Sequence, residues 1–77
     1  MMNQTQYNIY NVIGKNIKKY RKQKGLTQRK LAENLLLSES FIAKLESTTY
    51  QSISIDTLKQ IADELEIEIG KFFDEEQ

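Results

Sequence analysis

Residues 27–46 read TQRKLAENLLLSESFIAKLE. Thr27 carries a hydroxyl that can accept from the open amides of a helix start. Leu31, Ala32 and Leu35 then fall at helical spacing. Ser38 offers a second N-cap three residues after Leu35, and Phe41, Ile42 and Leu45 follow at steps of three and four. The pattern predicts a helix, a break of about three residues and a second helix, which is a helix-turn-helix. It equally fits a plain αα-hairpin in a small bundle. At about 100° per residue, Ile42 and Leu45 face inward and Ser40, Ala43, Lys44 and Ser47 point away. That outward face is small and polar. Ser can donate or accept in a major groove, and Lys can donate to guanine O6 or N7. Glu39 in the first turn can accept from cytosine N4 but repels phosphate. An ordinary solvated helix face reads much the same.

Outside this stretch the chain is short and chemically spare. Seventy-seven residues allow one small domain. With no Cys and no His there is no disulfide, thiolate site or imidazole base. No apolar run approaches the roughly 18 residues of a membrane span. The amino terminus has no secretory signal pattern. These features lead to the expectation of a cytoplasmic protein that is not an enzyme, with no catalytic or metal-binding residues, no cofactor and no small-molecule effector domain. The acids of the fourth helical segment, Asp63, Glu64, Glu66 and Glu68, read as a solvated face.

Net charge is zero, but its distribution is lopsided. Residues 1–32 hold eight Lys and Arg and no acid; residues 33–77 hold three Lys and all eleven acids. A basic first half is the footprint of a nucleic-acid binder. It is also what a merely solubilised first helix would show.

The remaining elements follow in order. Residues 1–11 are a polar stretch without charged side chains, either a frayed arm or an extension of the first helix. Tyr7 and Tyr10 there can pack on a partner subunit or on their own chain. The first helix is expected over residues 12–24, with Ile13, Ile17 and Tyr20 inward and Gly25 as its left-handed stop. Arg29 and Lys30 oppose the dipole of the second helix, a cost that a phosphate near its start would offset. Leu37 is expected to plug the core between the two helices. Residues 47–54 form a polar loop. Ser54 caps a fourth helix with Ile55, Leu58, Ile61, Ala62 and Leu65 as its core stripe. A short last helix carries Ile69, Phe72 and Phe73, and one of the two phenylalanines fills the core. Residues 74–77 are an acidic tail.

Gly25-Leu26-Thr27-Gln28, then Leu31-Ala32-Glu33, Ser38 and Ile42-Ala43-Lys44-Leu45-Glu46, resemble the phage-repressor and Cro type (XRE-like) of helix-turn-helix. The likeness covers about residues 13–73. It implies an all-α, compact five-helix, lambda-repressor-like DNA-binding domain over residues 12–73, acting on double-stranded DNA as a homodimer. The function it implies is sequence-specific transcription regulation on a near-palindromic operator. It implies base contacts from Ser38, Glu39, Ser40 and Lys44. Gln28 would lie against the phosphates, with Thr27, Arg29, Ser47, Thr48 and Tyr50 as further phosphate candidates. It also suggests a structural ion pair between Arg21 and Glu46, which lie at matching offsets from Ile17 and Ile42. Two departures stand out: Leu36 occupies the turn position where the family has Gly, and Glu66 stands where it prefers a glycine cap. A protein-interaction module or antitoxin of the same fold, with a protein partner, is the alternative.

Overall fold

A computed structural model of the chain describes residues 8–47 and 51–75. Four α-helices run in order: α1 (Ile9–Gln23), α2 (Gln28–Leu35), α3 (Glu39–Glu46) and α4 (Ile55–Leu65). A short 3-10 helix, Ile69–Phe73, closes the described chain. The last of the five expected helices is thus a 3-10 segment of five residues and not an α-helix. There is no strand among the described residues.

Each α-helix starts at a side-chain cap. Thr27 accepts from Lys30 N at 3.0 Å, Ser38 from Phe41 N at 3.0 Å and Ser54 from Thr57 N at 3.1 Å. Asn8 accepts from Tyr10 N at 3.0 Å, so α1 begins upstream of residue 12 and takes residues 9–11 out of the expected arm. Ile9 packs against the core, which gives that extra turn something to bury. Tyr10 is half-buried, and Tyr7 lies outside the described residues.

Three of the helices stop by the same device. Gly25, Leu36 and Glu66 all take left-handed backbone, at φ 79°, 59° and 60°. In each case the following residue turns its N–H back five positions: Leu26 to Arg21 O, Leu37 to Ala32 O and Ile67 to Ala62 O, at 3.1, 2.8 and 3.0 Å. This is the Schellman arrangement, whose next residue folds an apolar side chain onto the helix it closes. Leu26, Leu37 and Ile67 are the half-buried residues that do so.

The core joins Ile13 and Ile17 of α1, Leu31 and Ala32 of α2, Ile42 and Leu45 of α3, and Leu58, Ile61, Ala62 and Leu65 of α4 to Phe72. Phe72 is fully buried and meets the Tyr20 ring edge-on at 6.4 Å, whereas Phe73 is turned outward. Ile55 is 67% exposed and does not belong to the α4 core stripe. At about 100° per residue it lies about 70° to one side of the stripe's mean direction, on the flank of the first turn.

Candidate nucleic-acid interface

The position of α3 is fixed from behind. Gly14 of α1 faces the last turn of α3 so closely that a Cβ built there would collide with the Leu45 carbonyl oxygen. Only glycine lets the two backbones meet in this way. Next to this contact the Arg21 guanidinium pairs with the Glu46 carboxylate in two parallel bonds. Nε reaches Oε2 at 2.6 Å and Nη2 reaches Oε1 at 2.9 Å. The two side chains are 8% and 2% exposed. A third Arg21 donor, Nη1, binds Leu26 O at 2.7 Å, so one side chain ties α1, the α1–α2 connection and α3 together. A bidentate pair whose guanidinium makes a further hydrogen bond is the form in which a buried ion pair is tolerated.

Gln28 joins this network. Its Nε2 donates to Glu46 Oε1 at 3.0 Å, and the side chain is half-buried. The residue expected at the phosphates is therefore held to α3, and its carboxamide oxygen is the end left for other work.

The outward side of α3 carries Ser40 and Lys44, both exposed, with Ala43 half-buried between them. Ser38 and Glu39 are exposed at its start. The Ser38 oxygen is engaged in the cap, which leaves its O–H free to donate. Thr27 is similarly engaged at the start of α2. Arg29, in the second position of α2, brings its Nε to 3.7 Å from Glu39 Oε1, with both side chains well exposed. Ser47 closes α3, its hydroxyl donating to Lys44 O at 2.9 Å. Thr48 and Tyr50 lie outside the described residues. The structure thus brings Thr27, Arg29, Ser38, Glu39, Ser40 and Lys44 to the exposed starts of α2 and α3 and the exposed face of α3, and draws Gln28 partly inward.

Three features were absent from the sequence reading. Gly14 was one, although glycine inside a helical period is a known mark of close backbone approach. Asn16, 3% exposed, was another: its Nδ2 donates to Phe72 O and to Asp74 O, each at 2.8 Å. A polar residue beside Ile17 in an apolar stripe was the available signal. The Arg29–Glu39 approach had none, because it depends on how α2 and α3 cross.

Lys24 and Glu66 pair at 2.7 Å and link the ends of α1 and α4. That hydrogen bond, with the charge of Lys24, holds the Glu66 carboxyl below its ordinary 4.5. Asn34 donates to Glu64 at 2.8 Å between α2 and α4. Among the described residues no group of acids is gathered as a metal site, and no helix is long and apolar enough to cross a membrane.

Comparison with known proteins agrees with this geometry. A family model described as a helix-turn-helix domain matches residues 14–77. The chain is 39% identical over 64 residues to the immunity repressor protein of Bacillus phage phi105, which covers 83% of this chain and 44% of that protein. It is 35% identical over 65 residues to the HTH-type transcriptional regulator SlrR of Bacillus subtilis, covering 84% of this chain and 43% of SlrR. The chain therefore spans less than half the length of either relative. Among solved structures it superposes on SinR, a Bacillus subtilis regulator determined in complex with DNA, at a TM-score of 0.75 and 31% identity. That match covers 80% of this chain and 98% of the other. Matched over most of its length and built on a helix-turn-helix at α2 and α3, the chain belongs to the helix-turn-helix family, in its phage-repressor-like branch.

Proposed function

We propose that the chain is a sequence-specific DNA-binding transcription regulator that lays α3 in the major groove. The observation that carries this reading is the two-sided character of α3. One side is locked to α1 by Gly14 and the Arg21–Glu46 pair, and the other presents only small or polar exposed groups. A helix so held can act as a rigid probe, and its free face has the donors and acceptors that read base edges. SinR, a protein of this fold, was determined in complex with DNA, which supports a DNA partner for this chain.

In this reading Ser38, Glu39, Ser40 and Lys44 meet bases. Thr27, Gln28, Arg29 and Ser47 meet phosphates, as do Thr48 and Tyr50. A homodimer would present two copies of α3 about 34 Å apart to a near-palindromic operator. A duplex target implies a cytoplasmic place of work. No catalytic role is assigned.

The test is selection of binding sites from a random duplex library at two salt concentrations. A near-palindrome with half-sites about ten base pairs apart is the expected result. Lys44→Ala should then cost about 1–3 kcal/mol on the best site or alter its base preference. No enrichment, with weak binding that vanishes between about 50 and 200 mM salt, would overturn the reading.

One observation favours a second reading, in which the fold is kept to bind a protein. Leu36 is 92% exposed in the turn between α2 and α3, where a large apolar side chain gains nothing from water. Association driven by such a contact would lack the steep salt dependence of phosphate binding.

A further inference from the structure

The Arg29–Glu39 approach joins the first turns of the two helices that form the motif. Arg29 lies near the positive end of α2, where its own charge is disfavoured, and Glu39 is the first residue of α3, where a carboxylate is favoured. Their separation is 3.7 Å between Nε and Oε1, and both are exposed, 74% and 52%. In water such a pair contributes little. Against DNA its situation changes. Docking would strip water from both groups, and the attraction between them strengthens as the surroundings become less polar. Glu39 alone would face the phosphates as a like charge. Paired, the two form a neutral dipole.

Resting on the DNA-binding reading above, we infer that Arg29 is a positioning residue. It turns the Glu39 carboxylate toward a base edge, so that the pair selects cytosine at one place in each half-site. A carboxylate can only accept. In the major groove, cytosine offers a pure donor, the N4 amino group; adenine sets its N6 donor beside the N7 acceptor, which repels a carboxylate, guanine offers two acceptors and thymine an acceptor and a methyl group. Held there, Glu39 accepts from cytosine and repels guanine and the thymine oxygen. The Nε side of Arg29 faces Glu39, and its two terminal amino groups remain for a phosphate. One guanidinium then couples a sequence-neutral contact to a sequence-reading one. Lysine cannot do both, because it has one compact charge and no second donor edge.

The experiment repeats the random-duplex selection with the unaltered chain, Glu39→Gln, Arg29→Gln, Arg29→Lys and the double variant Glu39→Gln/Arg29→Gln, with thermal unfolding of each. Because both residues are exposed, the variants should unfold with the parent. Glu39→Gln should lower discrimination for cytosine at one position by about tenfold, the scale of one good base contact. Arg29→Gln should relax that same position and no other. Arg29→Lys should keep the parent's salt dependence yet lose part of the cytosine preference. The double variant should be no less selective there than Glu39→Gln alone, the signature of coupled residues. A uniform loss of affinity in Arg29→Gln, with every base preference intact, would make Arg29 a phosphate contact only and overturn the inference. If the unaltered chain enriches no sequence, the DNA reading itself falls and takes the inference with it.

Discussion

The contact between α1 and α3 and the turn from α2 into α3 both place the same helix, and they do so by opposite means. The first joins residues far apart in sequence. It is dry, charged and sterically tight: Gly14 against Leu45 O, and Arg21 against Glu46. The second joins neighbours, lies open to solvent and carries an exposed leucine at φ 59°. The left-handed turn needs the chain to take one conformation, and the hydrogen bond from Leu37 to Ala32 O secures it without glycine. The helix contact needs an absent side chain, and no hydrogen bond can replace that. The orientation of α3 is therefore held mainly from α1, and the connecting turn accommodates it.

This difference can be broken at graded cost. Glu46→Ala should be the most damaging change. It leaves Arg21 buried without its counter-charge and Gln28 without its acceptor, and should remove about 3–5 kcal/mol of stability in urea unfolding. Gly14→Ala should cost about 1–3 kcal/mol, since one methyl group forces two helices apart. It should also weaken operator binding beyond its effect on folding, by tilting α3. Should Gly14→Ala unfold with the parent, α3 is not held as described. Leu36→Gly should act in the reverse direction. Relief of left-handed leucine should add about 1 kcal/mol, or about 5 °C in the thermal midpoint, with operator affinity unchanged. A loss of partner binding in that variant would instead identify Leu36 as a contact residue.

The smallest effect lies at the third left-handed turn. The Glu66 carboxyl is held below its ordinary value by Lys24, so its contribution to stability is present at neutral pH and is lost as pH falls through that lowered value. Glu66→Gln should narrow the stability difference between neutral and acidic solution slightly, because the pair is exposed and screened. An unchanged pH profile would show that the pair adds nothing in water.

The parts of the fold that could be read from the sequence were those set by near neighbours. Thr27, Ser38 and Ser54 announce helix starts because a cap involves residues three apart. The spans of α2 and α4, the outward placement of Ser40 and Lys44, and the stop at Gly25 follow from short-range periodicity and backbone sterics. Ile55 escaped because periodicity gives a direction and not what stands in that direction. Asn16 escaped because its acceptors, Phe72 O and Asp74 O, are 56 and 58 residues away. In the candidate site, side chains on α3 were legible as a face. The bonds of Gln28 to Glu46 and the approach of Arg29 to Glu39 were not, since each depends on the angle between two helices.

The double grip of Asn16 on Phe72 O and Asp74 O has a consequence for how the molecule opens. Ends of small domains commonly fray on their own, independently of the interior. Here the last described turn is stitched to the middle of α1, with Phe72 sealed in the core beside the stitch. Peeling it away would break both bonds and expose the Phe72 ring to water, a cost of about 1.5–3 kcal/mol for that side chain alone. Local and global opening should therefore merge. The Asn16 side-chain protons should exchange with solvent at about the rate of the slowest amides of α1, and a protease should find the carboxyl-terminal turn only when the whole domain comes apart.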